Sequence, residues 1–251
     1  MIDNIRLIES DFLEHTVFQG AERAGLFLLD FAAAFPSIAH EYLFAALRSA
    51  GLPPWLLQFV RALYVANDAT LVVAGSKHAG FSLKAGIRQG CPLSPILFAI
   101  AMDVLLRRLH RLAPDAVIRA FADDVGAVAA NLFRDAQTFG TQFMMFGRIS
   151  GLLLNMPKTV IVPLAVVDWN ATLAALAHQQ AGWGGVQLRF WARYLGFAVG
   201  PGREHHAYEK AMDKFMSRAA DWGACGGGLL ASAAAYGVYV TSTLSFLIQL
   251  D

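Results

Sequence analysis

An α+β fold is predicted by three features of the 251-residue sequence. Short runs that are almost wholly apolar, such as "AGLFLLDF", read as buried strands. Between them stand longer stretches with helical periodicity, of which "SPILFAIAMDVLLRRLHRL" is the clearest. From His205 onward the strand-like runs cease and the pattern is helical. Strands interleaved with helices, followed by helices alone, predict a mixed core with a small helical part at its end.

Taken in order, "AGLFLLDF" predicts a buried strand ending at Asp30, and "SIAHEYLFAALRSAG" a helix with Ser37 as N-cap and Gly51 as its stop. The link between them, "AAAFP", is short and tight. A second helix falls on "WLLQFVRALYV", and "ATLVVAG" and "AGFSLKAG" separated by "SKH" give a hairpin signal. In the long helix Ser94 can cap, Pro95 suits the first helical position, and Arg107, Arg108, His110 and Arg111 complement the dipole in the last turns. "AVIRAFADDVGAVAA" reads as two strands with the turn at Asp123 and Asp124. A further helix, "LFRDAQTFGTQFMMFGRIS", stops at Gly151, and short β-like pieces follow at "LLLN", "TVIVPL", "VQLRFW" and "YLGFAVG".

Composition narrows the function classes. Twenty Lys plus Arg against nineteen Asp plus Glu leave a net charge of +1, so no global field advertises nucleic acid or acidic lipid, although a local basic groove remains compatible. Hydrophobic residues make up 56% and charged ones only 16%, a balance that leads us to expect part of the surface to be covered by something else. Cys91 and Cys225 stand apart with no CxxC, which argues against a disulfide framework or a zinc module and makes an intracellular setting, nucleus or cytoplasm, the expectation. The seven histidines form no ligand pattern. Asp3, Glu9 and Asp11 exclude a secretory signal in the first residues. Trp222 to Leu250 carries no charge and has the length of a membrane span, but its Ser, Thr, Tyr and Gln content suits a helix packed in protein better, so membrane insertion is not the expectation.

The stretch "IRAFADDVGA" poses the chemical question, because two adjacent carboxylates sit between apolar strands. Charge held at a half-buried turn loses hydration that something must replace, and a divalent cation does so most simply. If Asp30 ends a neighbouring strand, three carboxylates converge at one sheet edge. Such hard oxygen ligands, with positions left open for phosphate oxygens, suit Mg²⁺.

Several segments, in this order, resemble reverse transcriptases, most closely those of non-LTR (LINE-type) retrotransposons. "LFLLDFAAAFPSIAHEYL" is similar to the family's first catalytic strand, and "GIRQGCPLSPILFAIAMDVLL" to its template- and nucleotide-binding segment. "FADD" resembles the aromatic-Ala-Asp-Asp box, "SGLLLNMPKTVIV" the segment after it, and "RYLGFAVG" the primer-gripping hairpin. The resemblance implies a polymerase palm, an antiparallel sheet with helices packed on one face, followed by a partial helical thumb. Residues 1–200 would form the palm with residual fingers at the N-terminus, and 201–251 the start of the thumb.

Carried over residue by residue, the resemblance implies that Asp30, Asp123 and Asp124 hold two Mg²⁺ ions, for which Mn²⁺ can substitute, with the Phe31 carbonyl contributing. Phe35 would be the steric gate against a 2′-hydroxyl, and Gln89 and Gly90 would lie along the nucleotide and templating base. Lys158 would sit near the triphosphate and protonate the leaving pyrophosphate, and Tyr194, Leu195 and Gly196 would place the primer end. The implied partners are an RNA template, a DNA primer and deoxynucleoside triphosphates. Only Arg6 and Arg23 are basic among the residues before Asp30, so the resemblance also implies fingers that are mostly absent or supplied by another segment or a second chain. Pro36 stands where an acidic residue is common, and neither it nor Ala32 to Ala34 removes a metal ligand. The alternative is a catalytically silent retroelement remnant that keeps the palm fold.

Overall fold

The computed structural model describes residues 1–14, 24–65, 67–164, 168–178, 182–203, 206 and 208–248. The apolar run after Ala24 forms β1 (Gly25–Leu29), and every residue in it is buried because both its faces and both its edges are covered. Beyond it come β2 (Asp68–Val73), β3 (Ser76–Ser82), β4 (Val117–Phe121), β5 (Asp124–Ala129), β6 (Val160–Pro163), β7 (Gln187–Leu188), β8 (Ala192–Tyr194) and β9 (Phe197–Val199). The main sheet has the order β4-β5-β1-β6-β7, while β2-β3 and β8-β9 are separate two-stranded ribbons. Pairing is antiparallel from β4 to β6, as expected, and the short β7 adds a parallel edge.

The helices are α1 (Ile2–Leu13), α2 (Ala34–Ser37), α3 (His40–Ser49), α4 (Pro54–Tyr64), α5 (Ser94–Leu112), α6 (Leu132–Ser150), α7 (Trp169–His178), α8 (Glu209–Ala224), α9 (Gly228–Ala235) and α10 (Ser242–Ile248). Alternation along β1 divides its side chains between two cores. Phe27 and Leu29 join the larger one, built with α3 to α6 and closed by Leu176 and Trp183. There Phe27 meets Phe139 edge-on at 5.2 Å and Trp183 at 5.9 Å between ring centroids, and the Trp183 Nε1 donates to the Ala136 carbonyl at 2.9 Å. Each such fully buried side chain contributes about 1.5–3 kcal/mol relative to exposure. Leu26 and Leu28 face the other way, onto Ile5, Ile8 and Phe12 of α1 and onto Tyr194, Phe197 and Val199. The expectation of helices on one face is therefore extended: α1 and the β8-β9 ribbon cover part of the second.

Other details depart from the sequence reading. Ser37 is no N-cap, since a short helix ends there and its Oγ donates to the Ala33 carbonyl at 2.7 Å; α3 begins after Ala39. Ser94 does not cap α5 either, because its hydroxyl donates to the Arg88 carbonyl and ties down the preceding loop. The β2-β3 turn is Ala74-Gly75 rather than "SKH", with both residues at positive φ, so Ser76, Lys77 and His78 belong to β3. "LLLN" contributes only a bridge between Leu154 and Phe31. Helices α1 and α7 were not expected. Asn131 caps α6 by accepting from the Arg134 backbone N–H at 3.0 Å, and Gly151 ends it at φ +83°.

The uncharged C-terminal stretch is broken into the end of α8, α9, a π-helical turn at Tyr236–Val240, and α10. Among the described residues no helix is long and apolar enough to cross a membrane. Arg23, His205, Gln249 and Leu250, which figured in the sequence reading, lie outside the described residues.

Candidate active site

The central strand delivers Asp30 to the sheet edge, and the register does the rest. Leu29 pairs with Val125, so one further step sets Asp30 beside Asp124. Asp124 opens β5 after a two-residue turn, Ala122-Asp123, in which Ala122 takes a left-handed φ of +53°. Asp30 is fixed by its backbone: its N–H donates to the Thr159 hydroxyl at 3.4 Å, and its carbonyl accepts from the Asn155 N–H at 2.8 Å. Its side-chain Oδ2 is buried with no hydrogen-bond partner. An anionic oxygen in that state is costly unless a cation completes it.

The three aspartates feel one another. Partial burial first, then the negative charges of Asp123 and Asp30, hold the Asp124 carboxyl above its ordinary pKa of 3.8. Among the described residues no group of three or more His, Cys, Asp or Glu side chains is gathered closely enough to hold a metal ion, so the expected convergence of three carboxylates is reduced to the pair Asp30 and Asp124 at the cavity.

A cavity of about 300 Å³ lies against this edge, lined by Asp30, Asp124, Lys158 and Tyr194 together with Arg189, Trp191 and Arg193. Asp123 sits at the turn tip, acting on Asp124 by its charge. Phe35, Gln89 and Gly90 line a different hollow of about 370 Å³ with Cys91, Pro92, Ser94 and Pro95. Phe35 is stacked on Phe98 at 4.6 Å, which holds its ring at the rim of the large core. Gly90 has φ +84° with open space where a Cβ would stand, so conformation rather than crowding calls for glycine. The Phe31 side chain is buried against Phe143 at 5.8 Å, leaving only its backbone available to a ligand.

Leu195 and Gly196, at φ +51° and +93°, form the two-residue turn between β8 and β9. Tyr194 is not on that turn's surface. Its ring is buried beneath β5, where a Cβ on Gly126 would come within 3.0 Å of it, and its hydroxyl donates to the Arg119 carbonyl at 3.3 Å. Burial, then the negative charge of Asp124, push the phenol up to about 12.

Arg189, Trp191 and Arg193 were missed by sequence reasoning. The signal was present in "RFWAR", because in an extended segment residues two apart share a face, and these three line the same cavity.

A five-stranded sheet that sets paired aspartates on a hairpin next to a third on its central strand is a polymerase palm. Telomerase from Candida albicans, solved with a fragment of telomeric RNA, shares this fold at a TM-score of 0.58 over 99% of the chain and 44% of its own, at 10% identity. The chain belongs to the reverse transcriptase (RNA-dependent DNA polymerase) family, whose profile matches residues 2–199. It is 31% identical over 133 residues to the Pol polyprotein of the type-2 retrotransposable element R2DM of Drosophila melanogaster, a match covering 53% of the chain. It is 29% identical over 148 residues, 56% of the chain, to the Pol polyprotein of the type-1 element R2 of Popillia japonica. These relatives bear out the resemblance to LINE-type reverse transcriptases. The aligned part amounts to 11% and 24% of their respective lengths.

Proposed function

We propose that this domain extends a DNA primer on an RNA template, adding deoxynucleotides to the primer 3′-hydroxyl. The observation that carries the reading is the juxtaposition of Asp30 and Asp124 with the buried, unpartnered Asp30 Oδ2. That oxygen and the mutual repulsion felt by Asp124 suit divalent cations, which reverse transcriptases generally use. Asp30, Asp123 and Asp124 would hold two Mg²⁺ ions, or Mn²⁺ in their place, with the Phe31 carbonyl near by. When bound, such ions lower the pKa of the attacking hydroxyl and offset charge on the leaving pyrophosphate.

The chain's own groups do the rest. Lys158, exposed on the cavity wall, meets the triphosphate and supplies a proton to pyrophosphate. Phe35, braced by Phe98, stands under the sugar and leaves no room for a 2′-hydroxyl. Gln89 and Gly90 line the same hollow as that ring and contact the nucleotide and templating base. The Leu195-Gly196 turn meets the primer end, while Tyr194 beneath it props the aspartate hairpin. In this reading residues 1–200 are palm with residual fingers and 201–251 begin the thumb, with further fingers coming from another segment or a second chain. Its place is intracellular, in nucleus or cytoplasm, where the free thiols Cys91 and Cys225 stay reduced.

Primer extension on poly-A RNA with oligo-dT, Mg²⁺ and thymidine triphosphate tests the proposal. Extension by the wild type that Asp123→Asn abolishes is the expected result. Extension unchanged in Asp123→Asn would overturn the metal-site assignment, and none from folded wild type would leave a catalytically silent palm.

A further inference from the structure

The segment Arg189–Arg193 links β7 to β8, its last two residues opening β8, and has two working faces. Arg189, Trp191 and Arg193 line the reaction cavity. Phe190 lies outside it, 60% exposed, and Trp169 at the start of α7 meets its ring at 4.5 Å and 64°. Those two rings, with Leu188, Arg189 and Trp191, line a second hollow of about 480 Å³. Arg189 and Trp191 line both hollows, so the two share a wall.

The chemistry of the second hollow is that of a base-stacking site. Exposed aromatic rings beside a guanidinium receive flat, electron-rich bases while the cation meets the attached phosphate. The rings are held in place: Trp191 stacks on His206 at 4.2 Å, and Arg193 lies over it at 5.8 Å. Arg189 is aimed by its Nε donating to the Gln187 Oε1 at 2.9 Å, and the Gln187 amide donates to the Pro157 carbonyl, next to Lys158. Among the described residues no carboxylate pairs with Arg189 or Lys158, so their charge is available to a polyanion.

We propose that the hollow between Trp169, Phe190 and Arg189 holds a nucleobase of the DNA strand on the primer side of the cleft. The assignment to the primer strand rests on the function proposed above, because the hollow adjoins the β8-β9 hairpin given to the primer end. The site makes the strand's path about one base longer than the cavity and adds grip that does not depend on sequence.

Equilibrium binding of fluorescein-labelled oligo-dT to the full chain, followed by anisotropy without metal or nucleotide, tests it. Phe190→Ala and Arg189→Gln should each weaken binding roughly tenfold, whereas Phe190→Tyr keeps the ring and should bind as the wild type does. An abasic strand of equal length should bind wild type and Phe190→Ala equally weakly. Unchanged oligo-dT affinity in Phe190→Ala, or undiminished preference for oligo-dT over the abasic strand, overturns the site. A defect seen with oligo-rA but not with oligo-dT overturns the primer assignment. Because no catalysis is required, the binding result stands or falls separately from the extension assay with Asp123→Asn.

Discussion

Asp124 shows how one side chain trades folding for chemistry. Its folded pKa lies above the ordinary 3.8, so the protonated form favours the fold. That contribution is complete below the unfolded pKa and is lost as pH rises through the folded one. At neutral pH without metal, Asp124→Asn should therefore melt at a higher temperature than wild type. The gap should narrow as pH falls through the window just above 3.8, and Mg²⁺ should narrow it from the other side by stabilising only the wild type. Melting curves across pH, with and without Mg²⁺, check this; a lower melting temperature for the variant at neutral pH would contradict it. Beneath the same hairpin, Gly126 has no side chain because Tyr194 occupies the space, with ring carbons 3.0 and 3.1 Å from where a Cβ would stand. The ring is buried and tied to Arg119, so it cannot yield. Gly126→Ala should cost about 1–3 kcal/mol of stability, read from the urea midpoint, and lower the extension rate more than the affinity for primer. An unchanged midpoint would show that Tyr194 is not the prop.

At the element scale the recurring device is a two-residue turn with a non-glycine residue in the left-handed region: Ala74 in β2-β3, Ala122 in β4-β5 and Leu195 in β8-β9. In β2-β3 and β8-β9, though not at Asp123, φ is positive at both turn positions, which matches the twist of the strands, and Asn-Gly is the preferred pair for such a turn. Ala74→Asn should therefore slow amide exchange along β2-β3, which among the described residues pairs with no other strand and is exposed along most of its length. Exchange that is equal or faster would refute the turn type. These turns explain what could be read from the sequence and what could not. The aspartate hairpin was legible because polar residues interrupt two apolar runs, whereas "YLGFAVG" read as a single β-like piece and its hairpin came only from the family resemblance. The β2-β3 turn was misplaced onto "SKH", since Ala74 carries no turn signal and Ser76, Lys77 and His78 are polar only because both faces of the ribbon meet solvent. Ser37 and Ser94 looked like caps for the usual reason, but their hydroxyls bond to carbonyls outside the role of an N-cap. Helix α1 was hidden by its acids: Asp3 is exposed, but Glu9 and Asp11 sit half-buried beside the face formed by Ile5, Ile8 and Phe12 and blur its periodicity.

On the scale of the whole molecule, the order of segments along the chain was legible and so were Asp30, Asp123 and Asp124, because local pattern marks each of them. What escaped was everything that depends on which segments meet in space: the register that pairs Asp30 with Asp124, the burial of Tyr194, and the cations brought in by Arg189–Arg193. The same distinction separates the two ends of the chain. The sheet is fastened by two continuous cores, one on each face. By contrast, among the described residues α8 buries none of its side chains and α9 buries only Ala235, and Leu229 and Leu230 are 86% and 88% exposed. A segment with so few buried apolar contacts opens at a free energy well below that of the core. Gly226 and Gly228 lie in an exposed stretch at φ +60° and +74°, which presents the backbone between α8 and α9 to a protease. Limited proteolysis of the full chain should therefore cut first near Gly226–Gly228 and leave the part before α8 as a lasting fragment that keeps the melting transition of the sheet. Mass spectrometry of the time course decides the matter. First cuts within β1, β5 or β6, or loss of the sheet's transition as soon as the C-terminal helices are removed, would show that they belong to the palm's own cooperative unit and would move the proposed boundary at residue 200.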